Sequence, residues 1–116
     1  MTQLVVDRQA LLGSLENDND LVKEVVGLFL ADSPAMLLAI RTAVSSVAPN
    51  ELMKAAHALK GSVGVFGAKS AVAAAQALES MGKSGQMAGS VEALAGLERE
   101  MALVTFALQE IAKMSD

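Results

Sequence analysis

The chain has 116 residues, which fits one domain with a single small core. Its net charge is −4, its pI is about 4.9 and it has no basic stripe, so we do not expect it to bind nucleic acid. It has no cysteine, which excludes disulfides and thiolate metal sites and agrees with a cytoplasmic location.

Composition points to helices. The apolar share is largely alanine, leucine, valine and methionine, with only 3% aromatic residues, and this indicates helices that pack closely over small side chains. The longest unbroken apolar run, residues 25–31, is far too short to span a membrane. The N-terminus lacks the positive region of a signal peptide. We therefore expect no membrane association.

The first half of the chain predicts two helices. Asp7 is suited to cap a short N-terminal helix that ends at about residue 15. The polar run 17–20 forms a turn before a second helix with apolar residues at helical spacing. Pro34 interrupts this pattern, so we expect a kink or a restart there with Ser33 as the cap, after which the periodicity resumes to Val47.

A third helix is predicted from Pro49, which suits the first position of a helix, to about residue 65. Its apolar stripe consists of Leu52, Ala56, Leu59 and Val63. His57, which is the only histidine of the chain, lies roughly 130° from the centre of that stripe at about 100° per residue. The imidazole is therefore predicted to face solvent.

Lys60, Gly61 and Gly64 follow His57 at i+3, i+4 and i+7, so they are its neighbours on the helix surface. A glycine inside a helix costs about 1 kcal/mol relative to alanine. One reason for two glycines at these positions is that they leave the imidazole accessible to another protein. Close helix packing is the alternative, which the helical wheel disfavours. Lys60 is either a solvated charge or a cation that neutralises an incoming phosphoryl group.

Two more helices follow Gly67, a stop signal. The fourth spans about residues 68–83, with Ala71, Ala75, Leu78 and Gly82 on its apolar face and with an adjacent line of Val72, Gln76, Glu79 and Lys83. The last spans about residues 86–114, with an apolar seam that we interpret as a wall of the bundle rather than as a dimer contact. The expected fold is all-α, an antiparallel up-down-up-down four-helix bundle with a short additional N-terminal helix.

The motif His-x-x-Lys-Gly-Ser-x-Gly-x-x-Gly-Ala, here residues 57–68, resembles the phosphorylation motif of histidine phosphotransfer (HPt) domains. It equally resembles the related phosphoacceptor domain of chemotaxis histidine kinases. The resemblance covers nearly the whole chain, and we expect one HPt domain over residues 4–115.

This resemblance implies a phosphocarrier in a two-component phosphorelay. His57 would accept a phosphoryl group from a receiver-domain aspartate or a kinase and pass it to the receiver aspartate of a response regulator. The implied partners are receiver domains and a sensor or hybrid histidine kinase, and the domain itself is expected to be a monomer. No ATP-cradling loop or kinase motif is present, so the chain is not expected to be an enzyme. We expect no cofactor and no metal site, because Mg²⁺ would belong to the receiver.

The resemblance also implies roles for neighbouring residues. In the family, polar side chains of the fourth helix approach the imidazole, and Gln76 and Glu79 match those positions. A carboxylate or amide on one ring nitrogen would fix the tautomer and leave the other nitrogen as nucleophile. The alternative for both residues is a solvated helix face. Which ring nitrogen carries the proton is not readable from the sequence.

A docking surface for the partner is expected around the histidine, formed by Met53, Gly61, Gly64 and Val72. Met53 and Val72 suit a partly buried core position equally well. The main alternative function is a helical interaction or dimerisation module that is not phosphorylated. A haem-binding bundle would need His57 to point inward, and a hydrolase would need a nucleophile and base that the sequence does not show.

Overall fold

The computed structural model describes Val6 and residues 19–114. In this part of the chain four α-helices follow one another without a strand: α1 Asn19–Ser45, α2 Pro49–Gly64, α3 Lys69–Ser84 and α4 Ser90–Met114. The all-α prediction is confirmed. The short helix that the sequence predicts near residues 7–15 lies outside the described residues.

The four described helices form a ring in which each packs against two neighbours. α2 contacts α1 and α3, α4 contacts α3 and α1, and no contacts cross the diagonals of the ring. The connections consist of residues 46–48, 65–68 and 85–89, which are short enough to join only antiparallel neighbours. The predicted up-down-up-down bundle is therefore confirmed.

The core lies between the inward faces of the helices. The predicted apolar stripe of α2 is fully buried, and the seam of α4 is buried along most of its length. Phe66, which follows α2, makes an edge-to-face contact with Phe29 of α1, with ring centroids 5.1 Å apart and planes at 63°. This contact ties the connection between α2 and α3 to α1.

α1 runs through Pro34 without a break, so the predicted restart is wrong. Proline in a helix leaves the carbonyl four residues earlier, that of Leu30, without its backbone donor. Pro34 itself is exposed, so water can take the place of that donor. Ser33 is buried inside the helix and does not begin one.

The last helix begins at Ser90 rather than near residue 86. Gly85 and Gly89 have φ angles of 74° and 85°, in the left-handed region that glycine adopts readily. Gly85 ends α3 as a left-handed cap, and the chain turns again at Gly89 before α4 begins. The prediction missed this second turn.

Within the described residues, α1 is long and apolar enough to cross a membrane by length and composition, because an 18-residue window inside Asp20–Ser45 has a mean hydropathy of 1.5. In the structure it is a wall of the bundle. Its inward residues Val26 and Ile40 are buried in the core, whereas Leu28 and Leu38 are exposed on the outside. Only one face of α1 is buried. Its hydropathy is high because the outer face also carries apolar side chains.

Candidate functional site

α2 places His57 on the outside of the bundle. Its side chain is 69% exposed, whereas Ala56 beside it is completely buried. Successive side chains on a helix point about 100° apart, so the stripe that buries Ala56 turns the imidazole outward. The orientation is the one that the helical periodicity predicts.

Glu79 of α3 lies beneath the imidazole and links it to a cation. Its side chain is only 6% exposed, its Oε2 atom is 3.0 Å from Nδ1 of His57, and its Oε1 atom is 2.6 Å from Nζ of Lys60. A buried carboxylate is costly unless it is paired. Here one carboxylate has an ammonium on one oxygen and an imidazole on the other, so it is not part of a solvated helix face.

The hydrogen bond from Lys60 holds the pKa of Glu79 below its ordinary value of 4.5. Burial works against this by raising the pKa, and the hydrogen bond with His57 lowers it further. Glu79 is therefore ionised at neutral pH, and an ionised carboxylate can only accept hydrogen bonds. It follows that Nδ1 of His57 carries the proton and donates it to Oε2. In the neutral ring Nε2 then keeps its lone pair.

Lys60 is held on two sides. Besides its pairing with Glu79, its Nζ donates a hydrogen bond to Oε1 of Gln76 at 2.9 Å. The amide nitrogen of Gln76 in turn donates to Oγ of Ser80 at 3.1 Å. The Lys60 side chain is 25% exposed, so it is neither a solvated charge nor an unpaired one. The contact between Lys60 and Gln76 was not predicted from the sequence. Its signal is that Lys60 follows His57 on α2 by the same spacing as Glu79 follows Gln76 on α3.

Gly61 and Gly64 leave the surface beside His57 open. A Cβ atom built on either glycine would meet no atom within 4 Å. Neither glycine therefore serves close helix packing, which was the alternative interpretation. The surface beside the imidazole carries no side chain at these two positions.

Met53 and Val72 are both half-buried. Met53 lies beside His57 in a shallow groove of about 280 Å³, whose other lining residues are Lys54, Glu79 and Lys83. Val72 packs against the core and does not line this groove. Lys54 is not among the residues predicted from the sequence, although its position three residues before His57 makes it a neighbour on the helix surface.

No group of three or more side chains suited to hold a metal ion occurs among residues 19–114. The imidazole, the carboxylate and the ammonium form a single polar cluster on the α2–α3 face. Such a cluster offers a nucleophilic nitrogen in an open position, with the opposite nitrogen held by a fixed negative charge.

Comparisons with known proteins give one family match and one match to a solved structure. The sequence model of the Hpt domain family matches residues 24–110. The crystal structure of histidine-containing phosphotransfer protein B (HptB) from Pseudomonas aeruginosa PAO1 is similar, with a TM-score of 0.90 and 21% identity over 99% of this chain and 100% of that chain. At this identity the likeness shows a shared fold. No curated protein matches the sequence. Since the family match covers well over half of the sequence, the chain belongs to the Hpt domain family, whose members carry phosphoryl groups in two-component signalling.

Proposed function

We propose that Nε2 of His57 receives a phosphoryl group from the aspartate of a receiver domain, or from a kinase, and passes it to the aspartate of a second receiver. The proposal is carried by one observation: an exposed imidazole whose Nδ1 is 3.0 Å from the ionised Glu79. That contact assigns the proton to Nδ1, so the nucleophilic lone pair is on Nε2.

The transfer step involves only the imidazole, the phosphoryl group and the aspartate of the receiver. Nε2 attacks the phosphorus in line, the P–N bond forms, and the P–O bond to the aspartate breaks with its electron pair going to the aspartate oxygen. The ring keeps its proton on Nδ1, so it gains positive charge as the bond forms. The Glu79 carboxylate stabilises that charge. A cationic ring is also the better leaving group, which favours the onward transfer.

Lys60 and Gln76 act through Glu79 in this proposal. Lys60 holds one carboxylate oxygen and keeps the pKa of Glu79 low, and Gln76 accepts a hydrogen bond from Lys60. They are therefore positioning residues, which differs from the sequence-based expectation that Lys60 offsets the phosphoryl charge itself. The ion pair with Glu79 at 2.6 Å and the hydrogen bond to Gln76 take two of the three donors of Lys60, and its positive charge is balanced by the carboxylate.

The receiver domain is proposed to dock over the open surface formed by Gly61 and Gly64, with Met53 and Val72 at its edges. Mg²⁺ would come with the receiver, and the domain needs neither a cofactor nor an ATP site of its own. It is proposed to be cytoplasmic, and to act as a monomer because the apolar seam of α4 is buried inside the bundle.

A phosphotransfer assay tests the proposal. The wild-type chain, mixed with a phosphorylated receiver domain, should acquire an acid-labile and base-stable label, and His57→Gln should acquire none. The variant should still fold, because the side chain it replaces is mostly exposed. Label that persists on His57→Gln, or a failure of the wild type to accept phosphate from every receiver tried, would favour the alternative of a non-phosphorylated interaction module.

A further inference from the structure

Two lysines line the groove beside His57 without a negatively charged partner. Lys54 lies three residues before His57 on α2, and Lys83 lies four residues after Glu79 on α3. Both are exposed. Among the described residues neither forms an ion pair or a side-chain hydrogen bond, whereas Lys60 forms both.

The other charges at the site already cancel. The ammonium of Lys60 is 2.6 Å from a carboxylate oxygen of Glu79, and that carboxylate is ionised. A phosphoryl group brings about 1.5 to 2 negative charges near neutral pH. With the carboxylate already bonded to the same ring, the incoming group meets no net positive charge from the Lys60–Glu79 pair. Cations that are not already paired are needed to attract its oxygens.

We propose that Lys54 and Lys83 form the anion subsite for the phosphoryl oxygens, one from each helix that borders the groove. This inference rests on the function proposed above. Each ammonium has three donors on a flexible stem and can make charge-assisted hydrogen bonds to phosphoryl oxygens. The two lysines give up no proton in the step. They stabilise the charge on the oxygens while the bond to Nε2 forms.

A small phosphoryl donor separates this role from protein docking. Phosphoramidate transfers its phosphoryl group when Nε2 attacks phosphorus and the P–N bond to ammonia breaks, so no receiver surface is involved. The variants are Lys54→Gln, Lys83→Gln and the double variant, followed by ³¹P NMR of phosphohistidine. Lys69→Gln is the matched control, because Lys69 is an exposed lysine of the same helix about 15 Å from Glu79 along the axis.

Each single variant should react about tenfold more slowly than the wild type, and the double variant about a hundredfold, as expected for one charge-assisted hydrogen bond per lysine. Lys69→Gln should stay within about twofold of the wild type, because surface charges at that distance are largely screened. Replacing both lysines with arginine should restore most of the rate, since the positive charge returns.

Two outcomes contradict the inference in different ways. If wild type and double variant react with phosphoramidate at the same rate, the inference is wrong even if transfer from a receiver slows, because the lysines would then serve docking alone. If neither phosphoramidate nor a receiver labels the wild type at His57, the proposed function fails and the subsite fails with it. Circular dichroism melts confirm that each variant is folded.

Discussion

A Cβ atom on Gly82 would lie 2.6 Å from the backbone nitrogen of Met53, so the backbones of α3 and α2 touch at this point. The carbonyl oxygen of Pro49 is equally close to the same position. A contact this short between helix backbones is possible only where a side chain is missing. Gly82 therefore fixes both the separation and the register of the two helices.

That register sets up the site. One turn further along α2, and one turn back along α3, His57 and Glu79 meet at 3.0 Å. A further turn brings Lys60 and Gln76 together at 2.9 Å. Because α2 and α3 are antiparallel and close together, the Glu79 side chain is long enough to reach the His57 imidazole from the neighbouring helix. The polar cluster depends on a glycine that belongs to the apolar face.

Gly82→Ala is expected to lower the free energy of unfolding by about 1–3 kcal/mol, because the new methyl group overlaps backbone atoms that cannot move independently. This is the net change, because the overlap outweighs the gain of about 1 kcal/mol that alanine brings to a helix interior. Urea unfolding followed by circular dichroism measures the difference.

Gly61→Ala is the matched control for Gly82→Ala. Gly61 lies inside α2 with open space at its Cβ position, so alanine there should stabilise the protein by about 0.5–1 kcal/mol. If Gly82→Ala raises the unfolding midpoint as Gly61→Ala is expected to do, the close approach at Gly82 does not limit the packing of the two helices.

The fold was largely predictable, because its periodic apolar stripes were clear. The stripes of α2 and α3 correctly separate buried from exposed positions, and Pro49 correctly marks a helix start. The errors fall where a local signal competes with packing. Pro34 predicts an interruption of the helix, yet the buried residues on both sides of it, such as Phe29 and Ile40, keep α1 continuous.

The site was predictable in its members and less so in its contacts. Spacing along one helix places Lys60 near His57, but it cannot show that an oxygen of Glu79 from the next helix lies 2.6 Å from the ammonium. That pairing depends on the distance between α2 and α3. The same distance decides whether Glu79 is buried. Glu79 lies next to the apolar face of α3, so the sequence alone suited a solvated position equally well.

The tautomer of His57 provides a direct test of the Glu79 contact. In ¹⁵N–¹H NMR spectra of the neutral ring, Nδ1 should give the shift of a protonated nitrogen and Nε2 that of an unprotonated one. Glu79→Ala should convert this to a tautomer mixture, because no acceptor then selects Nδ1. Gln76→Ala is the control, since Gln76 bonds to Lys60 and not to the ring. A wild-type ring protonated at Nε2 would contradict the assignment.

Glu79 should also make stability depend on pH. Its pKa is lowered in the folded state by the hydrogen bond from Lys60, so its ionised form favours folding. That contribution is complete above the unfolded value of about 4.5 and is lost as the pH falls through the lower folded value.

Urea unfolding between about pH 7 and pH 3 should therefore show a loss of stability on the acid side that is smaller in Glu79→Gln than in the wild type. Glu92→Gln, at an exposed glutamate without an ion pair among the described residues, should lose stability in parallel with the wild type. Identical acid profiles for the wild type and Glu79→Gln would show that the buried pair does not favour the ionised form.

Gly64→Glu tests whether open access to His57 matters. The substituted position has free space around its Cβ atom, so the free energy of unfolding should stay within about 0.5 kcal/mol of the wild-type value. Phosphotransfer from a receiver should nevertheless slow by at least about tenfold, because a charged side chain now stands on the proposed docking surface. Gly96→Glu is the control: it places the same residue on α4, which does not contact α2, and its Cβ meets only the end of Arg99 at 3.7 Å. Equal transfer rates in both variants would mean that the receiver does not approach over Gly64.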